Sequence, residues 1–496
     1  MSKKNNNNTI QTFWVLLGNL SAFGFTIVSS MLLSRYFNKE DYGTYKQVMY
    51  VYNSLVIVFT LGLPRAFSYF LPKVSGGEAK DLINKINGIL IVLGGIMSAS
   101  LFFGAQLFAH FLNNDGLATP IRYFALVPLL MLPTMGIEGI LSTFKKTMFL
   151  AIYNTLSKVF MLLCVVVPVI FFKGDVISAI TGFTVSSFFC FLSALYFKNM
   201  PIRSFKKEKS NITYKDILKY TLPLMGASIW GIIINSSDQF FISRYFGNEV
   251  FADFANGSLR LPFVGMIISA TATVLLPVFS KQIHEQGGEG ARENVLHLWK
   301  SVLNKTVLLI YPLVIFCFFF ADIIMMVLYG DKYLTSGIYF QIKLLVNFFT
   351  VISYAPLMLA VGGEKYYFKV HMYGAVALVF LEWLSIQLVG SPYLITIISV
   401  VCEIGRIVFM LLFIGRFFKI KFRELFPLGL VLNIIIPSSI MLLVLRYTIF
   451  EYMHLRYVLS LVIALVGYLA LYGVWAYYQK IDYLSIIKPL FNKLKK

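Results

Sequence analysis

The sequence predicts an all-α polytopic membrane protein of about fourteen transmembrane helices, arranged as two six-helix repeats with two extra C-terminal helices. Three observations lead to this fold class. Hydrophobic residues make up 58% of the 496 residues and charged residues only 13%, whereas a soluble chain has about 25% charged residues. Apolar runs long enough to cross a bilayer recur along the chain. Part of the first half is repeated in the second.

The predicted spans are apolar runs of about 20 residues or more, the length that a helix needs to cross the hydrocarbon core. They lie near 12–34, 44–71, 86–112, 119–142, 148–172, 176–197, 217–242, 252–279, 302–328, 337–361, 367–389, 392–415, 425–446 and 456–478. The first run is too long for the core of a signal peptide, and no small-residue cleavage site follows it. We therefore interpret it as an uncleaved first span.

The distribution of Lys and Arg predicts the orientation. If the N-terminus is cytoplasmic, 27 of the 43 Lys and Arg residues fall in cytoplasmic segments and eight in the opposite loops. Positive residues accumulate on the cytoplasmic side of membrane proteins. We expect a multi-pass protein of the cell inner (plasma) membrane with both termini cytoplasmic. Because the basic clusters alternate with apolar runs, the net charge of +20 does not indicate a nucleic-acid partner.

An internal repeat divides the chain. The segment SRYFNKE at 34–40 recurs as SRYFGNE at 243–249, an offset of 209 positions. Both copies end the first predicted helix of a half and lead into the second, so we expect helices 1–6 and 7–12 to be parallel repeats. The predicted domains are an N-terminal six-helix lobe at 1–205, a C-terminal six-helix lobe at 206–422, and accessory helices 13–14 with a basic cytoplasmic tail at 423–496.

The first copy of the repeat begins a longer segment that resembles a known family. Residues 34–73, with Glu40-Asp41-Tyr42-Gly43-x-Tyr45 and then Gly62-Leu63-Pro64-Arg65, resemble the helix 1–2 hairpin of polysaccharide flippases of the Wzx type. These flippases belong to the multidrug/oligosaccharidyl-lipid/polysaccharide exporter superfamily. The second-half stretch 222–263, which includes Asp238, is similar to the same family.

The resemblance implies a V-shaped flippase that moves polyprenyl-diphosphate-linked oligosaccharide from the cytoplasmic to the outer leaflet by alternating access. It implies a role in cell-surface polysaccharide biosynthesis, such as lipopolysaccharide O-antigen, capsule or exopolysaccharide. The implied partners are the lipid-linked oligosaccharide, membrane lipids, a polysaccharide polymerase and glycosyltransferases. Fourteen spans are similar to the lipid II flippase arrangement, in which two extra helices form a groove for a lipid tail.

Ionisable residues within the predicted spans are candidates for function, because each costs several kcal/mol unless it meets water or a partner. The basic ones are Arg65, Arg122, Lys158, Lys219, Arg260, Lys305, Lys343 and Arg406. The acidic ones are Glu138, Asp238, Glu382 and Glu403. Since the cations outnumber the acids, the sequence predicts a water-filled basic cavity.

The candidate substrate-binding residues are Arg65, Arg260, Lys158, Lys343, Arg122, Asn19 and Asn235. The basic side chains suit phosphate oxygens, and arginine stays charged in a low dielectric. Arg65 is the strongest candidate, because only Glu138 lies at a similar depth and could neutralise it. Asp238 is the candidate for coupling transport to a proton or sodium ion.

Structural roles are the alternative for several of these residues. Asp238 and Arg260 reach similar depths on helices 7 and 8, where they can form an ion pair. Glu403 and Arg406, three positions apart, can pair on helix 12. The two asparagines can form hydrogen bonds between helices.

Two other functions remain open at this point. A multidrug exporter of the same superfamily would take cationic drugs and favour an acidic cavity. A membrane glycan polymerase or ligase would need a catalytic acid or base and usually a sizeable outer loop. The chain has no phosphate-binding glycine loop. Its five histidines form no ligand-spaced pair, and its four cysteines fall in apolar runs. We expect no enzymatic activity, no cofactor and no metal.

Overall fold

The structure is a computed structural model that describes residues 2–283, 288–449, 456–481 and 483, and its regular secondary structure is helical. The helices are α1 Ser2–Tyr36, α2 Lys39–Phe59, α3 Leu63–Phe70, α4 Gly76–Phe111, α5 Ala118–Phe124, α6 Val127–Met131, α7 Ile137–Thr143, α8 Thr147–Phe171, α9 Val176–Asn199, α10 Tyr214–Gly257, α11 Pro262–Lys281, α12 Gly288–Phe319, α13 Ala321–Tyr329, α14 Ser336–Leu344, α15 Ala355–Ala360, α16 Glu364–Leu388, α17 Pro392–Phe418, α18 Phe422–Leu425, α19 Leu428–Tyr447 and α20 Tyr457–Tyr478. Most of the predicted basic tail, residues 484–496, lies outside the described residues.

The helices confirm a polytopic all-α membrane protein. In the described chain, eleven helices are long and apolar enough to cross a membrane, and a twelfth is added if α2 and α3, bent by 46°, form one span. The other two predicted spans also have helical counterparts. One corresponds to α11, which is 20 residues long. The other is broken into α14 and α15.

The chain forms two compact units, Met1–Ala252 and Asp253–Lys496. In the first unit, α8 packs along both α1 and α9. Gly182 of α9 allows one of these close approaches, since a Cβ there would lie 1.9 Å from the carbonyl oxygen of Cys164 on α8. Small residues permit such backbone contact between membrane helices. The predicted lobe boundaries at 205/206 and 422/423 follow the sequence repeat and stay a prediction.

The two copies of the repeated motif pack against each other within the first unit. A Cβ at Gly43 would lie 1.9 Å from the carbonyl oxygen of Asn248, so α2 needs glycine at this position. The Asn248 side-chain amide donates to the Glu40 carbonyl at 3.3 Å and to the Thr44 hydroxyl at 3.2 Å. The buried Gln47 amide donates to the Ser243 hydroxyl at 2.8 Å. The two copies of the repeated motif are thus joined by hydrogen bonds and a close backbone contact.

The fourth predicted span is broken between α6 and α7. Residues Leu132–Thr134 form a 3₁₀ turn, Met135 is extended, and Gly136 adopts a positive φ of 97° before α7 begins. A break in a membrane helix leaves backbone carbonyls without helical partners. Lys198, from the end of α9, satisfies them. Its buried ammonium donates to the carbonyls of Pro133 and Met135.

The second unit has a comparable break. Residues 349–354 between α14 and α15 have no regular helix. They face the pair formed by α16 and α17, which pack along each other.

The accessory helix α19 packs on α12, and the Arg446 guanidinium contacts both carboxylate oxygens of Asp322 at 3.1 and 2.6 Å. Tyr468 of α20 donates to the Ser438 hydroxyl of α19 at 3.0 Å. Polar contacts therefore join α19 to α13 and α20 to α19.

Candidate functional site

Arg65 is positioned by the turn that joins α2 to α3. Gly62 ends this turn with a φ of 72°, and Pro64 occupies the first turn of α3, immediately before Arg65. The Arg65 side chain is exposed, and within the described residues it makes no ion pair or side-chain hydrogen bond. Helices α3 and α7 meet at Ser68 and Gly139, which brings the exposed Glu138 to the same region. Even so, no ion pair forms between Glu138 and Arg65 in this part of the chain.

Lys158 lies midway along α8. Its ammonium contacts the thioether of Met161 at 3.7 Å, and no carboxylate of the described residues lies within 4.0 Å of it. A thioether is a weak acceptor, so this cation lacks a charge partner. One turn earlier, the Asn154 amide donates to the Asn19 side-chain oxygen at 3.3 Å. The structure therefore brings Asn19 and Lys158 to the same α1–α8 interface, where Asn19 forms the interhelical bond of the alternative interpretation.

Arg122 and Asn235 lie apart from this interface. Arg122, in the short helix α5, is exposed and makes no ion pair with the residues that the structure covers. The Asn235 amide donates to the Gly231 carbonyl of its own helix at 2.6 Å. Asp238, one turn further on, is 3% exposed and accepts from the backbone of Gln239 at 2.8 Å. A buried carboxylate at this position is compatible with the predicted ion-coupling role.

The remaining candidates belong to the second unit. Lys343 of α14 donates to the Ser399 hydroxyl of α17 at 3.0 Å, and its ammonium lies 5.6 Å from the centre of the Phe254 ring. Arg260 is exposed and comes just before α11. Each unit therefore carries its own candidate cations.

The predicted pairing of Glu403 with Arg406 is wrong. Both residues are on α17, but their charged groups are not within ion-pair distance, and Arg406 has no hydrogen bond to any described residue. The Arg406 stem instead packs beside Gly374 of α16, where an added Cβ would lie 2.5 Å from Arg406 Cδ. Glu403 stays an electrostatic neighbour of Arg406 without forming an ion pair with it, and both side chains line one cavity.

Sequence reasoning missed one buried cation. Lys198 ends an apolar run, so the sequence suggested a cytoplasmic loop residue, but the side chain is only 1% exposed. Its ammonium donates to Asn87 Oδ1 at 2.8 Å and lies 5.1 Å from the centre of the Phe67 ring. Pro128 and Pro133 are the sequence features that accompany the helix break, but nothing in the sequence indicated which side chain would fill it.

Comparisons with solved structures define the fold. The fold resembles the inward closed form of the lipid II flippase MurJ with a TM-score of 0.72, at 16% identity, covering 94% of this chain and 99% of that one. It also resembles an inward-facing multidrug resistance MATE transporter of the MOP superfamily (TM-score 0.61, 13% identity, 80% and 95% coverage). A MOP superfamily transporter from Pyrococcus furiosus gives a TM-score of 0.57 at 12% identity, with 83% and 96% coverage. The fold is that of the MOP superfamily transporters.

The family follows from the sequence match. Residues 10–283 match the family described as polysaccharide biosynthesis protein, and the chain belongs to this family. An uncharacterised membrane protein of Methanocaldococcus jannaschii is 20% identical over 352 residues, which cover 66% of this chain and 68% of that protein. The solved structures of similar fold are, by their titles, a flippase and transporters. The resemblance that the sequence motifs suggested is therefore confirmed at the level of the family and the fold.

Proposed function

We propose that this protein is a flippase for polyprenyl-diphosphate-linked oligosaccharides in cell-surface polysaccharide biosynthesis. One observation carries the proposal. Arg65, Arg122 and Lys158, three cations at predicted membrane depth in the first unit, have no ion-pair partner among the described residues. Uncompensated positive charge in a membrane protein is costly, so it calls for water and an anionic ligand. A diphosphate headgroup supplies that anion.

The cost of moving a charged headgroup through the hydrocarbon core explains the need for these cations. The polyprenyl tail can stay in lipid, but each unpaired sugar hydroxyl costs about 1–3 kcal/mol to bury, and the charged diphosphate costs far more. A hydrated basic cleft lowers this barrier while the tail remains in the hydrocarbon. Alternating access, with the two lobes rocking around a fixed site, then presents the headgroup to each leaflet in turn.

The finer assignments belong to the same proposal. We place the protein in the inner (plasma) membrane with both termini cytoplasmic, on the strength of the Lys and Arg asymmetry. The six-helix lobes end near residues 205 and 422, and the accessory helices α19 and α20 provide a surface for the lipid tail. Asp238 couples transport to an ion. A polymerase and glycosyltransferases supply and consume the substrate.

Binding of a polyprenyl diphosphate to the purified protein tests the proposal. The wild-type protein should bind polyprenyl diphosphate more tightly than polyprenol of the same length. Arg65→Ala and Lys158→Met should each weaken diphosphate binding by about tenfold or more, the effect of losing one charge-assisted contact. Arg416→Ala is the matched control, since Arg416 is exposed in the last turn of α17. Equal affinity for polyprenol and its diphosphate, or unchanged binding in both variants, would contradict the proposal.

A further inference from the structure

The broken segment at 349–354 borders a polar cavity inside the second unit. The cavity has a volume of about 190 Å³. Its polar lining residues are Thr350, Ser353, Tyr354, Tyr367, His371, Glu403 and Arg406. In membrane transporters, interrupted helices of this kind line solute sites, because the unwound backbone offers groups that a solute can bind.

Several of these groups make no hydrogen bond within the described residues. The Thr350 hydroxyl is buried without a hydrogen bond in the described chain. Arg406 and Glu403 likewise form no hydrogen bond or ion pair with residues that the structure covers. The His371 ring contacts the Tyr367 carbonyl through Nδ1 at 2.9 Å, which leaves Nε2 for a ligand. Because buried polar groups are normally satisfied, this set of donors and acceptors indicates a polar ligand or water.

In the first unit, carbonyl groups exposed by the helix break have a hydrogen-bond donor. The Lys198 ammonium bonds to three oxygens around the break at 132–136 and is 1% exposed. At the break in the second unit, the Thr350 hydroxyl has no hydrogen bond within the described residues, and a cavity borders the unwound segment.

The charges of the cavity select the chemistry of that ligand. Arg406 would repel a cationic drug, and Glu403 would repel a phosphate oxyanion. A hydroxyl group both donates and accepts, so it can bind the carboxylate and the guanidinium at once. The volume lies below the roughly 300–1,000 Å³ of sites for drug-sized ligands, and it matches one ring rather than a whole oligosaccharide.

We infer that this cavity is a sugar subsite, in which Glu403 and Arg406 bind adjacent hydroxyls of one ring of the transported glycan. The inference rests on the proposed function, because it assigns the glycan end of the same substrate. The cations of the first unit would bind the diphosphate, and this cavity would bind a sugar.

Free monosaccharides test the subsite. The full chain is purified in lauryldimethylamine oxide, a detergent without a sugar headgroup, and titrated with a panel of hexoses and N-acetylhexosamines by saturation-transfer NMR. At least one sugar should bind to the wild-type protein. Arg406→Gln and Glu403→Gln should both weaken that binding by about tenfold or more. Arg416→Gln, on the same helix but outside the cavity, should leave it unchanged.

The two variants remove charges of opposite sign, so they distinguish a site for sugars from a site for oxyanions. If the cavity binds oxyanions, inorganic pyrophosphate will bind more weakly to Arg406→Gln and more tightly to Glu403→Gln, which would overturn the inference. Sugar binding that neither variant changes, or a cavity that takes only water, would overturn it as well. The near-isosteric Glu403→Gln serves as the test if Arg406→Gln does not fold. If sugars fail to bind while polyprenyl diphosphate binds, only the subsite is wrong; if neither binds, the proposed function fails too.

Discussion

Replacing Lys198 by Met should destabilise the first unit. The side chain is 1% exposed, and its ammonium donates to the Pro133 and Met135 carbonyls and to Asn87 Oδ1. Met fills a similar volume but donates nothing. Each buried acceptor left without a donor costs about 1–3 kcal/mol. The Asn87 amide can rotate towards another partner, whereas the two carbonyls are fixed by the helix break. We therefore expect the free energy of unfolding to fall by about 2–4 kcal/mol.

The free energy of unfolding can be measured by titrating the purified protein with sodium dodecyl sulfate in mixed micelles, with tryptophan fluorescence as the readout. Lys209→Met is the matched control, because Lys209 is exposed in the linker between α9 and α10. A change within about 0.5 kcal/mol of wild type for Lys198→Met, the range typical of surface substitutions, would refute the reasoning.

Three further predictions concern stability. Gly43→Ala places a methyl group 1.9 Å from the Asn248 carbonyl and should lower the free energy of unfolding by about 1–3 kcal/mol, measured in the same titration; a neutral effect would contradict the close contact. A double-mutant cycle on Arg446 and Asp322, whose side chains are 36% and 31% exposed, should give a coupling energy of no more than about 1 kcal/mol; a larger value would contradict the assigned exposure. Asp175 caps α9, and the bond from the Ser178 backbone lowers the pKa of its carboxyl, so Asp175→Ala should cost about 0.5–1 kcal/mol at pH 7. Because the folded-state pKa lies below the unfolded one, this difference should disappear as the pH falls through the folded pKa; a difference independent of pH would contradict it.

Much of the fold could be predicted because membrane insertion depends on hydropathy and charge, which the sequence displays directly. The repeated SRYF motif located the corresponding turns, and the structure brings Gly43 and Asn248 of these turns into contact. The interruption of the tenth span was not predicted. Residues 345–354 are apolar enough to read as continuous helix, and their loss of helix depends on tertiary packing that hydropathy does not record.

The candidate site was predicted only in part. Arg65 and Lys158 could be found because a cation within an apolar run can be recognised from the sequence alone. Lys198 was missed because it lies at the end of its run, where snorkelling to water is the usual outcome. The expected pair of Glu403 and Arg406 failed because spacing on one helix does not fix rotamers, and Gly374 on the neighbouring helix offers the arginine a different place. Contacts between helices, rather than positions along one helix, decided these cases.

Translocation in reconstituted liposomes tests the central claim most directly. A polyprenyl-diphosphate-linked saccharide with a fluorescent sugar label is placed in both leaflets, and an external quencher reports how fast the inner pool becomes accessible. The account predicts that the wild-type protein exposes the inner pool, that Arg65→Ala does so much more slowly, and that a cationic dye is not moved. Dye transport without movement of the labelled lipid, or equal rates for wild type and Arg65→Ala, would contradict it.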